Sequence, residues 1–172
     1  PIGASAVAAL RKYGVETKHI AKGGERLGIY FLETGAAMRA SNVVYDRAHS
    51  SISTAVAADF DFDEIFKDAD WFHFTGITPA VSDAAAGLTE VALKAAKKHG
   101  VKVSCDLNFR KKLWSSEKAQ KIMTNLMQYV DVCIGNEEDA EKVLGFKPGN
   151  TDVTSGSLEL QGYQDIFRQM VD

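Results

Sequence analysis

The sequence predicts an α/β fold in which a mostly parallel sheet is flanked by helices and accompanied by a small β hairpin. From residue 70 onward, short runs rich in β-branched and aromatic residues alternate with helical segments. Before residue 50, two such runs follow each other with no helix between them. Since 45% of the 172 residues are hydrophobic and 25% are charged, the chain has an ordinary globular composition and can bury one sizeable core.

The amino-terminal part is predicted to contain a helix followed by the hairpin. Four apolar residues recur there at helical spacing, Ala6, Ala9, Leu10 and Tyr13. Gly14 follows as a carboxyl-terminal cap, and residues 15–20 form a strand or a loop. Residues 28–34 and 42–47 are the two β runs, and the polar, Gly-containing stretch between them makes the pair typical of a hairpin.

The rest of the chain is predicted to alternate strictly between strands and helices. The predicted elements are strands 71–77, 101–107 and 130–134 and helices 82–99, 116–129 and 137–144. Such alternation indicates crossover connections on a parallel sheet. Residues 147–156 are predicted to form a loop before a last helix at 158–172. We assign residues 1–20 and 50–172 to the α/β domain and residues 21–49 to the hairpin.

Charge and composition argue against several classes of partner. The net charge is −3 and the two signs are interspersed, so nucleic acid and anionic membrane surfaces are not expected partners. No apolar run approaches the roughly 20 residues of a membrane span, and no signal peptide opens the chain, so we expect a cytoplasmic protein. Cys105 and Cys133 lie in apolar runs and are expected to be buried, reduced thiols. Both ends are expected to be cut, since Pro1 is not an initiator Met and a helical pattern is still running at Asp172.

Polar residues follow the second and third predicted strands, where ligands bind in an open parallel sheet. Asp106, Asn108 and Arg110 alternate with apolar residues and are expected to point to one side if the extended conformation continues. Arg110 can bind a carboxylate or phosphate with two hydrogen bonds, or it can simply pair with Asp106 or with the loop. Both interpretations stay open.

Asn136 stands where a helix N-cap belongs, and acidic residues fill the first turn after it. Carboxylates at this position stabilise the helix dipole and commonly do nothing else. Alternatively, one or two of them organise water around Mg²⁺ attached to nucleotide phosphates, because that ion keeps most of its own waters. Both interpretations can hold together.

The second run of the hairpin places Val43, Tyr45 and Arg47 on one strand face and Val44 and Asp46 on the other. A ring beside a guanidinium suits a polyhydroxylated acid, because the ring covers carbon atoms and the guanidinium binds the carboxylate. Tyr30 on the neighbouring strand is in a position to join them. The alternative is a hairpin whose aromatic residues bury against the main sheet.

Several nucleotide and hydrolase motifs are absent, namely the P-loop, the Gly-x-Gly-x-x-Gly fingerprint and the Gly-x-Ser-x-Gly elbow. Five other segments occur in a specific order: GIYFLE at 28–33, VYDRAHS at 44–50, WFHFTGITP at 71–79, SCDLNFRKKLW at 104–114 and DVCIGNEED at 131–139. Together they make the chain similar to the ribokinase-like (PfkB) carbohydrate kinases, and within that family it resembles the 2-keto-3-deoxygluconate kinases.

The resemblance implies a ribokinase-like fold with the hairpin as a lid, and transfer of the γ-phosphoryl group of ATP to the terminal hydroxyl of 2-keto-3-deoxygluconate. The alternatives are a kinase for a neutral sugar such as fructose or ribose, and a non-catalytic sugar-binding module. The resemblance implies that the sugar-acid ligands are Tyr30, Tyr45, Asp46, Arg47 and Arg110. It implies that the ATP-binding residues are Asn108, Phe109, Arg110 and Asn136.

The resemblance also implies a Mg²⁺ ion, held weakly and through water by Glu137 or Asp139, where Asp139 stands in place of the family's Glu. The family's Gly-Gly substrate segment is expected before Pro1 and its catalytic base beyond Asp172, so these 172 residues alone are expected to be inactive. A homo-oligomer formed through the lid is expected, because an exposed strand edge invites pairing with a second subunit.

Overall fold

The protein is described by a computed structural model that covers residues 1–146, 164 and 166–169. The described part contains a two-stranded antiparallel sheet and a three-stranded parallel sheet. The predicted loop at 147–156 lies outside the described residues. Of the predicted helix at 158–172, residues 164 and 166–169 are described, and they are helical.

The parallel sheet confirms the predicted alternation of strands and helices. Its strands are β3 (Trp71–Thr75), β4 (Lys102–Asp106) and β5 (Val132–Ile134), in that order across the sheet. The helices that follow them are α4 (Ile77–Val81) and α5 (Asp83–Lys98) after β3, α6 (Ser116–Met127) after β4, and α7 (Glu137–Asp139) after β5. The last of these continues as a π-helix over Ala140–Leu144. Each predicted strand is shortened by one to two residues at one or both ends.

The core lies on one face of this sheet. Phe74, Val103 and Cys105 are neighbours across β3 and β4 and belong to a buried cluster with residues of α5 and α6. Residues that alternate with them face the other way, and Trp71 and Ile134 are 55% and 53% exposed. Each fully buried large aliphatic side chain contributes about 1.5–3 kcal/mol, so the covered face provides most of the hydrophobic stabilisation.

The two cysteines are free and lie opposite each other on β4 and β5. Burial raises the pKa of the Cys133 thiol to about 11, and it raises the pKa of Cys105 further still. Both groups are therefore protonated at neutral pH. The prediction of burial is confirmed for Cys105, while Cys133 is partly buried.

The amino-terminal helix α1 (Ile2–Lys12) ends as predicted, with Gly14 in the left-handed region at φ +76°. None of its residues is buried, and the apolar stripe is exposed, with Tyr13 at 80%. The segment 15–20 is a loop. Two short helices that the sequence pattern did not predict follow the hairpin, α2 (Ser51–Thr54) and α3 (Phe62–Phe66), with a 3₁₀ turn at Ala57–Asp59 between them.

The hairpin consists of β1 (Ile29–Glu33) and β2 (Asn42–Asp46), which pair antiparallel inside the predicted ranges. The register places Tyr30 opposite Tyr45 and Glu33 opposite Asn42, so the base of the hairpin is at Ile29 and Asp46. Within the described residues, no helix has the length and hydropathy that a bilayer span requires.

Candidate functional site

One face of the hairpin presents two tyrosines and an arginine. The ring centroids of Tyr30 and Tyr45 are 6.2 Å apart, and the guanidinium carbon of Arg47 lies 4.1 Å from the centroid of the Tyr45 ring. This is cation–π geometry. Tyr30 and Tyr45 are 65% and 47% exposed, so the alternative that they bury against the main sheet does not describe this structure. The face offers phenol hydroxyls, ring surface and one positive charge to a ligand.

Asp46 lies on the opposite face of the hairpin, as its place in the strand predicts. Its carboxylate forms an ion pair with Arg26, with 2.8 Å between Nη2 and Oδ2. The same guanidinium donates hydrogen bonds to the carbonyl oxygens of Asp46 at 2.7 Å and Ala48 at 2.9 Å. The structure therefore separates Asp46 from Tyr45 and Arg47, and a role for Asp46 in sugar binding stays a prediction.

The base of the hairpin is closely packed against the start of α2. The Ser51 N–H donates to the carbonyl oxygen of Arg26 at 2.8 Å. A Cβ at Gly28 would lie 3.2 Å from the Ser50 Cβ. Gly24 has φ +66°, and a Cβ at that position would lie 2.8 Å from the Ser51 Cα. A side chain at Gly24 would be strained by the backbone conformation and would overlap Ser51, so the close approach there helps to anchor the hairpin at one end.

The carboxyl end of β4 changes direction sharply. Asn108 has φ +43°, in the left-handed region that Asn adopts more readily than most residues, and its amide donates to Thr75 Oγ1 at 3.2 Å. The expectation that Asp106, Asn108 and Arg110 continue an extended strand is therefore wrong. The strand ends at Asp106, and the left-handed residue breaks the alternation.

The same turn is packed against the end of β3. The N–H of Gly76 donates to the carbonyl oxygen of Asp106 at 2.8 Å, and a methyl group at Gly76 would overlap the carbonyl oxygen of Leu107. The Leu107 N–H donates to the carbonyl oxygen of Ile134 at 2.9 Å. These bonds hold the ends of β3, β4 and β5 together at one edge of the sheet.

Arg110 is exposed, and its Nη1 donates to the carbonyl oxygen of Phe109 at 2.8 Å. It forms no ion pair with Asp106 or with another described residue. Of the predicted pairings with Asp106 or with the loop, only this one hydrogen bond to the loop is present. The guanidinium therefore keeps most of its donors for an anionic ligand at the sheet edge.

Asn136 caps α7, as predicted. Its Oδ1 accepts a hydrogen bond from the Asp139 N–H at 2.8 Å, and the Asp139 Oδ2 accepts one from the Asn136 N–H at 3.4 Å. The other oxygen of Asp139, Oδ1, accepts from the Phe109 N–H at 2.8 Å. Asp139 thus connects the turn after β4 to the start of α7.

Glu137 and Glu138 occupy the first turn of α7 beside these bonds. No cluster of three or more acidic, His or Cys side chains able to enclose a metal ion occurs among the described residues. Mg²⁺ does not need such a cluster, since it keeps several waters and accepts one or two carboxylates. The donors present therefore fit a water-mediated ion better than a directly enclosed one.

The hairpin residues and the sheet-edge residues form two separate groups. No hydrogen bond or ion pair between described residues joins Tyr30, Tyr45 and Arg47 to the edge around Asn108 and Asn136. The position of Arg26 was not predicted, because a side chain that bonds to the base of a hairpin leaves no periodic signal in the sequence. Its only sequence cue is its place between Gly24 and Gly28.

Comparison with known proteins identifies the family. The description "pfkB family carbohydrate kinase" applies to a family model that matches residues 1–160. The chain belongs to this family. It superimposes with a TM-score of 0.89 on the crystal structure of 2-dehydro-3-deoxygluconokinase from Thermotoga maritima, with 51% identity over 99% of this chain and 51% of that chain. The predicted ribokinase-like fold is thereby confirmed.

Two further relatives are kinases by name. The chain is 38% identical to a 2-dehydro-3-deoxygalactonokinase from Haloferax volcanii, over 84% of this chain and 45% of that protein. It is 31% identical to a 2-dehydro-3-deoxygluconokinase from Thermoproteus tenax, over 84% of this chain and 44% of that protein. The chain therefore spans about half the length of these relatives.

Proposed function

We propose that the full-length protein transfers a phosphoryl group from ATP to the terminal hydroxyl of 2-keto-3-deoxygluconate. Membership of the pfkB family and the names of the relatives support a sugar-acid substrate. The observation that carries the proposal is the guanidinium of Arg47, stacked 4.1 Å from the centroid of the Tyr45 ring on an exposed face that also includes Tyr30. We place the reaction in the cytoplasm.

The hairpin face has the chemistry that a keto-deoxy sugar acid requires. The carboxylate pairs with Arg47, because a guanidinium binds carboxylates with two parallel hydrogen bonds. The ring of Tyr45 holds that guanidinium in place, and the exposed phenols of Tyr30 and Tyr45 bond to sugar hydroxyls while the rings cover the carbon chain. A neutral sugar leaves the charge on Arg47 without an anionic partner.

The sheet edge has the chemistry of the phosphate donor. Arg110 and the side-chain amides of Asn108 and Asn136 are the groups that we assign to the phosphates of ATP, with Phe109 beside them. ATP with Mg²⁺ supplies the phosphoryl group that is transferred. Phosphoryl transfer depends mainly on positioning and on electrostatic stabilisation, which fixed amide and guanidinium donors provide.

We also propose that the protein forms a homo-oligomer through the hairpin. Phe31 and Val44 face away from the tyrosines and are 56% and 47% exposed, which is an apolar surface on a two-stranded sheet. Size-exclusion chromatography with light scattering on the full-length protein is expected to give a multiple of the monomer mass. A monomer at all concentrations contradicts this part of the proposal.

The test of the activity is ADP release by the full-length protein with ATP, Mg²⁺ and a panel of acceptors. The panel contains 2-keto-3-deoxygluconate, its galactonate epimer, fructose and ribose. We expect kcat/KM for the acids to exceed that for the neutral sugars by at least about tenfold, since a charge-assisted hydrogen bond contributes about 1.5–3 kcal/mol. Preference for fructose or ribose supports the neutral-sugar alternative. Sugar binding by calorimetry without ADP release supports a non-catalytic module.

A further inference from the structure

We propose that Arg26 is a positioning residue for sugar binding, because its guanidinium holds the backbone around Arg47 and so keeps the guanidinium of Arg47 in place against the Tyr45 ring. This inference rests on the proposed function, since it takes Arg47 as the residue that binds the sugar carboxylate. Arg26 precedes β1 by three residues and is partly buried at the base of the hairpin.

The guanidinium of Arg26 bonds to two backbone carbonyls, one on each side of Arg47. Nη2 donates to the carbonyl oxygen of Asp46 at 2.7 Å, and Nη1 donates to that of Ala48 at 2.9 Å. The carbonyl of Asp46 belongs to the peptide that enters Arg47, and the carbonyl of Ala48 belongs to the peptide two further along the chain. Because the guanidinium is a rigid plane, these two bonds fix the spacing and the orientation of both peptides.

The peptide between these two, and the backbone of Arg26 itself, bond to residues at the start of α2. The Ser50 N–H donates to the carbonyl oxygen of Arg47 at 3.3 Å. The carbonyl oxygen of Arg26 accepts from both the N–H and the hydroxyl of Ser51, each at 2.8 Å. Arg26 therefore connects α2 to the segment that carries Arg47, and removing its side chain frees two carbonyls of that segment at once.

The charges of the two arginines have different surroundings. Nη2 of Arg26 forms an ion pair with the Asp46 carboxylate at 2.8 Å. Arg47 forms no ion pair with a residue in the part of the chain that the structure describes, and its guanidinium carbon lies 4.1 Å from the centroid of the Tyr45 ring. The charge of Arg47 is thus available to a ligand, whereas that of Arg26 is already neutralised. Arg26 acts through Arg47 and does not contact the sugar.

Binding of a carboxylate by Arg47 is sensitive to the backbone that carries it. Two parallel hydrogen bonds form only when the guanidinium and carboxylate planes are aligned. Rotation of the peptide that enters Arg47 redirects the whole side chain, so the guanidinium leaves both the Tyr45 ring and the place of the carboxylate. The clamp formed by Arg26 therefore contributes to the affinity for an acid without adding a contact to it.

The experiment measures KM and kcat of the full-length protein for 2-keto-3-deoxygluconate in Arg26→Ala, in Arg47→Ala and in the double variant. We expect Arg26→Ala to raise KM by about tenfold and to change kcat by less than about twofold, because a charge-assisted hydrogen bond to the bound acid is weakened. In the Arg47→Ala background, Arg26→Ala is expected to change KM by less than about twofold, since the guanidinium that it positions is already absent. A merely structural role gives additive losses instead.

Arg26→Lys separates the geometry of the clamp from its charge. Arg26→Ala leaves the Asp46 carboxylate unpaired, and that charge alone would disfavour an anionic substrate. A lysine keeps a positive charge beside Asp46, but its ammonium lacks the planar fork that reaches both carbonyls, so KM is expected to stay raised by at least about threefold. If Arg26→Ala does not fold, the lysine variant decides.

A second measurement follows the Arg47 side chain without catalysis. In the full-length protein labelled at arginine, the ring current of Tyr45 shifts the Arg47 side-chain protons in the NMR spectrum, because the guanidinium carbon lies 4.1 Å from the ring centroid. Loss of the signal in Arg47→Ala assigns it. We expect both Arg26 variants to reduce this shift. Arg39→Ala is expected to preserve it, since Arg39 bonds to the carbonyl oxygen of Thr34 near the tip.

The proposal is overturned if the Arg26 variants leave KM or the ring-current shift unchanged, if lysine restores KM, or if the losses in Arg26→Ala and Arg47→Ala add in full. Failure of the proposed function looks different. In that case no sugar acid gives ADP release, while the ring-current shift of Arg47 is still present in the unmodified protein and reduced in the Arg26 variants.

Discussion

Replacing Arg47 by alanine is expected to lower kcat/KM for 2-keto-3-deoxygluconate much more than for fructose. The guanidinium carbon lies 4.1 Å from the centroid of the Tyr45 ring, so the substitution removes both an anion-binding group and a cation–π contact. The contact itself contributes about 0.5–1 kcal/mol at an exposed site. A charge-assisted hydrogen bond to the sugar carboxylate contributes about 1.5–3 kcal/mol.

These contributions overlap, and we expect a net loss of about 2–3 kcal/mol for the acid, which corresponds to roughly 30- to 150-fold in kcat/KM. A neutral sugar loses only the ordering of the tyrosine ring, worth about 0.5 kcal/mol or roughly twofold. The expected ratio between the two substrates therefore changes by more than about tenfold.

The assay is coupled ADP release by the full-length protein with each sugar as the acceptor. Arg39→Ala is the matched control, because Arg39 is also on the hairpin but its Nη2 donates to the carbonyl oxygen of Thr34 at 2.9 Å near the tip. The control is expected to keep both activities. Equal losses for acid and neutral sugar in Arg47→Ala, or an equal effect of Arg39→Ala, refute the assignment of Arg47 to the carboxylate.

Three further predictions concern the stability of the domain. The ion pair with Lys97 lowers the pKa of the Asp131 carboxyl below its ordinary value. The contribution of this carboxylate to the free energy of unfolding is therefore present above about pH 4 and is lost as the pH falls. In urea denaturation, Asp131→Asn should make the free energy of unfolding less dependent on pH in this acid range. Leu93→Ala should cost about 2.7–5 kcal/mol in the same assay, because this side chain is 0% exposed. Gly76→Ala should lower the thermal midpoint measured by circular dichroism, since the added methyl overlaps the carbonyl oxygen of Leu107. An unchanged acid dependence, urea midpoint or thermal midpoint, respectively, contradicts these predictions.

The elements that the sequence predicts well are those with a long periodic pattern. Helix α5 spans 16 residues, and its buried positions include Leu88, Ala92 and Ala96, which follow the helical repeat closely. In strand β4 the apolar residues Val103 and Cys105 alternate with polar ones, which is the period-two pattern of a strand. In both elements, the residues that bury one face recur at a regular spacing along the sequence.

The features that the sequence does not predict depend on contacts between distant residues. Helices α2 and α3 have four and five residues, too few to show a period. The left-handed conformation of Asn108 is stabilised from outside, by the hydrogen bond to Thr75 and by the bond from the next N–H to Asp139, which is 30 residues away from Phe109. The sequence pattern around Asn108 gives no indication of either hydrogen bond.

Because the base of the hairpin is anchored, its tip is free to move further than its base. Asn42 lies four residues from Asp46, or about 14 Å along a strand at 3.4 Å per residue, whereas Arg47 adjoins the base that Arg26 clamps. If the hairpin turns about this base as a lever, the tip sweeps a wide arc and Arg47 stays close to the pivot. On the assignment of Arg47 to the sugar carboxylate, such a motion would leave the guanidinium nearly in place while the tip moves.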